Sequence, residues 1–138
     1  MKIEFIKFEE HIIPPRRMYD MDTGADIFMP HAGMVEPGET VVIPLGFGIN
    51  IPNGYTGRMQ VRTSVARKGI IIQGCAIDAG YTGELHMILH NVSKKNFSWS
   101  MNDRLGYIEI YPTQYVEFIS KEKESLKREN NCFGSTGV

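Results

Sequence analysis

The apolar residues of this chain fall into short clusters that are separated by turn-forming residues. The clusters alternate or contain β-branched residues, which is typical of strands and not of helices. Six of them are predicted to be strands, namely residues 2–8, 25–29, 40–43, 46–51, 55–61 and 104–111. Turn signals such as Pro37-Gly38 and Asn53-Gly54 lie between them. Many short strands at this spacing predict an all-β sandwich, barrel or jelly roll.

The pattern predicts very little helix. Residues 63–69 are expected to form one or two turns, with Thr63 or Ser64 as the N-cap and Gly69 as the end. The charged run 121–128 is either a short exposed helix or a solvated linker. No internal repeat or domain boundary is visible, so residues 1–138 are expected to form one domain. It would comprise a β-core (1–120) followed by a linker and a mobile C-terminal arm (121–138).

Composition narrows the class of protein. A chain of 138 residues with 42% hydrophobic and 22% charged residues can bury an ordinary core. A net charge of −1, with scattered basic residues, argues against a nucleic-acid partner or an anionic membrane surface. No apolar run approaches the ~20 residues of a membrane helix, and the N-terminal stretch has no secretory signal pattern. We therefore expect a cytoplasmic protein whose Cys75 and Cys132 are reduced.

Residues 74–91 place an acid and an aromatic residue in a predicted hairpin between strands at 70–72 and 85–89. Asp78 there could orient and deprotonate a water molecule. Tyr81, three residues later, could lie flat against a ring-shaped ligand. Taken alone, each has a commoner structural use, since Asp often bonds its own backbone in turns and Tyr often packs at strand edges.

Two other segments suit a polyphosphate. Arg62, Thr63 and Ser64 offer a guanidinium, two hydroxyls and backbone amides where a strand ends. The alternative is a helix cap beside a surface arginine. Residues 130–138 are rich in glycine and small polar side chains and contain Phe133. They would form either a frayed tail or a lid that closes over phosphate while Phe133 stacks on a base.

A metal site formed by protein ligands is not expected. His86 and His90 are four residues apart on a predicted strand, which separates their Cα atoms by about 13 Å. Two side chains at that separation can hardly share an ion with bonds of about 2.1 Å. Neither a CxxC nor an HExxH motif occurs.

Five short motifs in order along nearly the whole chain resemble those of the trimeric all-β deoxyuridine triphosphate nucleotidohydrolases, the dUTPases. They are 23–27 (TGADI), 57–66 (GRMQVRTSVA), 74–83 (GCAIDAGYTG), 103–105 (DRL), and Arg128 with 133–137 (FGSTG). The resemblance implies a β-clip or distorted jelly-roll-like subunit that forms a homotrimer with three shared active sites. It also implies an enzyme, a dUTP diphosphatase, that hydrolyses dUTP to dUMP and pyrophosphate.

The resemblance assigns roles to individual residues. Asp78 would activate the water that attacks the α-phosphorus, and Tyr81 would stack under the deoxyribose. The backbone of Cys75, Ala76 and Ile77 would contact the uracil edge, and Phe133 would cover the uracil. The phosphates would be bound by Arg62, Thr63 and Ser64 of a neighbouring subunit. The residues that would close on the triphosphate are Arg128, Gly134, Ser135 and Thr136. One Mg²⁺ would be held chiefly by phosphate oxygens, and Asp26 would contact it at most through water.

The chain departs from the family pattern at two informative positions. Cys75 stands where the uracil hairpin usually has glycine, and Tyr107 stands where the fourth motif usually has a glutamine that touches phosphate. No role is therefore carried over to Tyr107.

Two alternatives to a dUTPase use the same scaffold. Residues 63–69 (TSVARKG) also resemble the deoxycytidine triphosphate deaminases. Those enzymes carry a catalytic glutamate five residues beyond the Gly83 position, where this chain has Ile88, a residue that cannot shuttle protons. The second alternative is a non-enzymatic module that senses nucleotides or binds a partner. A regulatory protein partner is expected in addition to catalysis if the chain is phage-encoded.

Overall fold

The computed structural model describes residues 1–123 and is built almost entirely of strands. This part of the chain contains one short helix, α1 (Thr63–Ala66), and eleven strands. The strands are β1 (Glu4–Lys7), β2 (Ala25–Phe28), β3 (Gly33–Val35), β4 (Thr40–Pro44), β5 (Phe47–Asn50), β6 (Tyr55–Val61), β7 (Ile70–Gln73), β8 (Ala76–Ile77), β9 (His86–Asn91), β10 (Phe97–Trp99) and β11 (Arg104–Pro112). The predicted all-β class is confirmed. No helix in residues 1–123 is long and apolar enough to cross a membrane.

The strands form small antiparallel sheets around one apolar core. A four-stranded sheet has the order β2-β11-β6-β8, and a three-stranded sheet has the order β4-β9-β7. Two-stranded pairs, β1-β5 and β10-β3, complete the described sheets. Alternation in β9 turns Met87, Leu89 and Asn91 inward, where they are fully buried, and leaves His86 exposed. The core thus fills the space between the sheets, while the outer face of the three-stranded sheet still exposes Val42 and Ile71.

All six predicted strand clusters correspond to strands, with ends shifted by a few residues. The cluster at 55–61 matches β6 without change, and the cluster at 104–111 matches β11 to within one residue. Three short strands, β3, β8 and β10, were missed, because two or three residues are too few to display an alternating pattern.

The predicted N-cap of the helical turn is wrong, and the helix itself ends at Ala66 with Arg67 as its C-cap, before a turn that runs to the predicted stop. Arg62 is the N-cap, with φ −65° and ψ 150°, and no side chain caps the turn. Its backbone N–H bonds the carbonyl of Leu105, so Arg62 still belongs to the extended backbone of the sheet. This displaces Thr63 into the first helical position. Gly69, with φ +83°, ends the turn in a conformation that glycine tolerates.

The predicted hairpin is only partly correct. Strands β7 and β9 do pair antiparallel, with Ile70 opposite Asn91 and Gln73 opposite Ile88. Their connection is not a simple turn, however, because β8 leaves this sheet and pairs with β6. The loop that holds the candidate base therefore bridges two sheets. The predicted helix or linker at 121–128 lies mostly outside the described residues, and the single-domain organisation and the trimer stay predictions.

Candidate active site

A cavity of about 650 Å³ lies where β2, β11 and the start of α1 meet. Its wall includes Arg62, Thr63 and Ser64, the three residues predicted to bind phosphate. Asp26 and Tyr107 lie in the same wall. These five residues bring a guanidinium, two exposed aliphatic hydroxyls, a phenol and a carboxylate to the cavity wall, and the first two kinds of group suit a phosphate ligand.

Asp26 is held in place by both its backbone and its side chain. Arg104 Nη1 donates to Asp26 Oδ2 at 2.8 Å, and both side chains are partly buried. The backbone of Asp26 exchanges two hydrogen bonds with Arg16. A carboxylate paired in this way chiefly supports the cavity wall.

Arg62 is positioned by the neighbouring strand. Its Nη1 donates to the carbonyl oxygen of Arg104 at 3.1 Å, which orients the guanidinium along the wall of the cavity. The backbone bond from Arg62 to Leu105 fixes the same residue from the other side. Arg62 therefore presents its positive charge from a fixed backbone, a requirement for recognition of a phosphate group.

Tyr107 is a cavity residue that sequence reasoning left without a role. Its ring packs on Gly24, where a Cβ would lie 2.4 Å from Tyr107 Cδ2 and 2.8 Å from the carbonyl oxygen of Ile108. Burial, and then the charges of Glu109 and Asp26, raise the pKa of Tyr107 above its usual value. The phenol is therefore neutral at ordinary pH and keeps its O–H as a hydrogen-bond donor.

Asp22 is a second cavity residue that no motif identified. Its Oδ2 accepts a hydrogen bond from the backbone N–H of Tyr19 at 2.9 Å, which closes a turn at the rim. The only available signal was its position immediately before the first motif.

Asp78 and Tyr81 form a second group of candidate site residues, in the loop between β8 and β9. Asp78 is exposed directly after the buried Ile77, and its carbonyl oxygen accepts from the N–H of Tyr81 at 3.3 Å. Gly80, with φ +80°, donates to the carbonyl of Ile51 at 3.0 Å. This turn fixes the backbone of Asp78 while its carboxylate remains in solvent.

The ring of Tyr81 is fixed against the same loop. Its hydroxyl donates to the carbonyl oxygen of Glu84 at 3.1 Å, and a Cβ on Gly83 would lie 2.7 Å from that hydroxyl. About half of the side chain, 49%, is still exposed. Glu84 in turn accepts from the N–H of Gly46 at 2.9 Å, which ties the loop to the turn before β5. Tyr81 is thus an oriented aromatic surface open to a ligand.

The two groups of site residues lie toward opposite ends of β6. Ile77, next to Asp78, pairs with Gly57 near the start of the strand, whereas Arg62 follows the last residue of β6. Five residues of extended chain separate those levels by about 17 Å. The structure therefore brings Arg62, Thr63 and Ser64 together, and Asp78 with Tyr81, but keeps the two groups apart within one chain.

The remaining predicted residues are split between described and undescribed parts of the chain. Cys75 is half-buried and its carbonyl oxygen accepts from the N–H of Met59 at 2.9 Å, while Ala76 and Ile77 form the edge strand β8. The residues assigned to the arm lie outside the described residues, namely Arg128, Phe133, Gly134, Ser135 and Thr136.

Comparison with known proteins identifies one family. The model of the dUTPase family matches residues 10–137. Deoxyuridine 5'-triphosphate nucleotidohydrolase of Tropheryma whipplei (strain Twist) is 32% identical over 128 residues, which cover 89% of this chain and 88% of that protein.

Two solved structures of phage dUTPases share the fold. A mutant dUTPase from phage phi11 of S. aureus superposes with a TM-score of 0.81 at 25% identity, covering 89% of this chain and 98% of that one. That structure reveals the coordination of a structural Mg(II) ion. The dUTPase of Staphylococcus bacteriophage 80alpha superposes with a TM-score of 0.82 at 23% identity, covering 88% and 97%. Phage dUTPases of that kind are described as controlling the transfer of virulence genes.

Proposed function

Because the chain belongs to the dUTPase family, we propose that its two groups of site residues meet across neighbouring subunits to form one dUTP site. The chain is an enzyme that hydrolyses dUTP to dUMP and pyrophosphate. The observation that carries the shared site is the separation of about 17 Å between the levels of Ile77 and Arg62 along β6. A catalytic base must approach its reacting atoms to about 3–3.5 Å. A second subunit supplies that proximity.

Asp78 is the proposed general base. Its exposed carboxylate follows a buried strand residue and stands on a turn whose backbone is fixed, so it can orient a water without itself moving far. The water attacks the α-phosphorus, and Asp78 takes its proton. The pyrophosphate then leaves with the electron pair of the broken P–O bond.

Tyr81 and β8 are proposed to bind the nucleoside. The exposed half of Tyr81 offers a flat surface on which the deoxyribose can stack, and such close contact leaves no room for a 2′-hydroxyl. Strand β8 is an edge strand that pairs only with β6 in the described sheet. Its other edge can offer backbone groups to the uracil. Cys75 immediately precedes this edge, in the place where the family pattern has glycine.

Arg62, Thr63 and Ser64 are proposed to bind the phosphates. The fixed guanidinium pairs with phosphate oxygens, and the two hydroxyls can donate to others. The arm residues Arg128 and Phe133 are proposed to complete the site, which stays a prediction from the sequence.

Mg²⁺ fits the cavity as an ion bound through the substrate. The carboxylate of Asp26 is engaged by Arg104, and in residues 1–123 the only cluster of three potential ligands lies elsewhere, at Glu9, His11 and His31. Mg²⁺ retains water readily and commonly binds through substrate phosphates, so this donor set suits it. The bound ion would neutralise charge on the phosphates, while Arg62 and the hydroxyls hold the same groups in place.

Two further assignments rest on the sequence. A cytoplasmic location is proposed, and so is a regulatory protein partner for a phage-encoded chain. Neither changes the chemistry of the site.

Initial rates of pyrophosphate release from dUTP, dCTP, UTP and dTTP with Mg²⁺ test the function. We expect dUTP to be clearly preferred, and Asp78→Asn to retain the fold and nucleotide binding while losing at least ~100-fold in kcat. Glu36→Gln removes an exposed carboxylate on a distant turn and should have no effect. Ammonia release from dCTP, or an Asp78→Asn variant with normal turnover, would contradict the assignment. Ile88 in β9 makes the deaminase outcome unexpected.

A further inference from the structure

We propose that Glu9, His11 and His31 form a binding site for a divalent transition-metal ion of the zinc class, separate from the dUTP site. The three potential ligand atoms lie within 4.8 Å of one another. Glu9 Oε2 is 3.0 Å from His31 Nε2 and 3.5 Å from His11 Nε2. None of these residues lines the cavity that contains Arg62.

Two of the three distances between the ligand atoms are close to the spacing that a tetrahedral ion requires. Bonds of about 2.1 Å at tetrahedral angles place neighbouring ligand atoms about 3.4 Å apart. The two distances from Glu9 Oε2 lie on either side of that value. Two imidazole nitrogens with one carboxylate oxygen suit Zn²⁺, whereas Mg²⁺ prefers oxygen ligands. A water molecule would take the fourth position.

The backbones that carry the ligands are fixed, while the ligands themselves are accessible. Ile12 is buried and its N–H bonds the carbonyl of Glu9, and the N–H of Phe8 bonds the carbonyl of Gly46. On the other side, Trp99 Nε1 donates to the carbonyl oxygen of His31 at 3.1 Å. The side chains of Glu9, His11 and His31 are 38%, 41% and 64% exposed. An ion can therefore reach ligands whose backbones are already in place.

Binding would exchange existing hydrogen bonds for metal bonds. Without an ion, His11 Nε2 lies 2.9 Å from the carbonyl oxygen of Pro30, and His31 Nε2 is hydrogen-bonded to Glu9. A ring that binds the ion would carry its proton on Nδ1 and direct the Nε2 lone pair to the ion. The competing interpretation is a cluster without an ion, in which His31 only bonds Glu9 and His11 only bonds Pro30.

The sequence does not reveal this cluster because its members are far apart in the chain. Glu9 and His11 follow β1, whereas His31 lies between β2 and β3, twenty residues later. The spacing of His86 and His90 along a strand led to the prediction of no metal site formed by protein ligands. In the structure His90 Nδ1 is hydrogen-bonded to Thr40. An ion at the new cluster would link two segments and stabilise only the folded chain.

Isothermal titration calorimetry of the metal-stripped full chain with ZnCl₂, and separately with MgCl₂, tests the proposal. We expect one Zn²⁺ per chain, little response to Mg²⁺ at the cluster, and a melting temperature that rises with Zn²⁺. His31→Gln keeps a hydrogen-bond donor beside Glu9 but loses the imidazole ligand, so zinc affinity should fall at least about tenfold. His86→Gln, an exposed histidine on β9, is the matched control and should bind zinc as the unchanged chain does.

Equal zinc affinity in His31→Gln and the unchanged chain would overturn the proposal. So would zinc that is retained by a folded His11→Gln/His31→Gln double variant, because another ligand such as Cys75 would then hold it. Magnesium-dependent dUTP hydrolysis should be the same in His31→Gln and in the unchanged chain. The experiments can therefore contradict the proposed metal site and the proposed dUTP site independently of each other.

Discussion

An equal mixture of two inactive variants, assembled at random into trimers, should regain about one quarter of the wild-type turnover per site. Asp78→Asn removes the proposed base and leaves Arg62 intact, whereas Arg62→Ala removes the guanidinium and leaves Asp78 intact. Each variant alone should form homotrimers with almost no activity. In a mixture, some sites combine the intact loop of one subunit with the intact cavity of its neighbour.

The expected recovery follows from the geometry of β6. The levels of Ile77 and Arg62 differ by about 17 Å along the strand, too far for both to act on one triphosphate within a chain. Each site then draws its loop and its cavity from two different subunits. When equal amounts of the two variants assemble at random, about half of the sites receive a loop with Asp78 and about half receive a cavity with Arg62. Both are therefore present in about one quarter of the sites.

The assay refolds equal amounts of the two variants together, analyses the whole mixture without selecting mixed trimers, and measures initial pyrophosphate release at saturating dUTP. The control mixes the wild type with a chain that carries both substitutions. Shared sites would retain about one quarter of the wild-type rate in that control, whereas sites within one chain would retain about one half. No recovery in the first mixture together with one half in the control would refute the shared site.

Three further substitutions probe the scaffold. Gly24→Ala should lower the free energy of unfolding by about 1–3 kcal/mol in urea denaturation, because its Cβ would collide with the ring of Tyr107; an unchanged midpoint would contradict this packing. Asn91→Ala should cost about 3 kcal/mol in the same assay, because Asn91 is fully buried and makes four side-chain hydrogen bonds. The raised pKa of Tyr107 means that the fold favours the neutral phenol, so its contribution to stability is complete below about pH 10 and is lost as pH rises through the folded pKa. Melting temperatures of Tyr107→Phe should therefore fall less steeply above about pH 10 than those of the wild type, and parallel curves would exclude the effect.

Long alternating segments could be predicted from the sequence because each displays its own buried face. The strand at 55–61 is such a segment, and its bounds are those of β6. The two residues of β8 are too few to display an alternating pattern, and they pair with β6, which is distant in sequence. The predicted hairpin therefore missed a strand that belongs to a different sheet. The N-cap error has a similar cause. Thr63 has the side chain of a good cap, but the bond from Arg62 to Leu105 extends the strand by one residue and shifts the helix start.

Site residues were predictable where they lie in short motifs and not where the topology assembles them. Asp78 and Tyr81 share one loop, and Arg62 adjoins Thr63, so local sequence identified both groups. Their separation became visible only through the register of β8 on β6. The cluster of Glu9, His11 and His31 is assembled by the topology. No spacing in the sequence connects these residues, because they meet only when β1 and β2 are in place.

Tyr107, which replaces the glutamine of the family pattern, is accommodated by Gly24 of the first motif. In the register of β11 on β2, Tyr107 lies opposite Asp26, two residues after Gly24. The missing Cβ of Gly24 gives the ring its space, and the ring then lies in the wall that also holds Arg62. A glutamine side chain would fill that space less completely. Burial raises the pKa of Tyr107, so the phenol stays neutral at ordinary pH and can donate a hydrogen bond from this strand position.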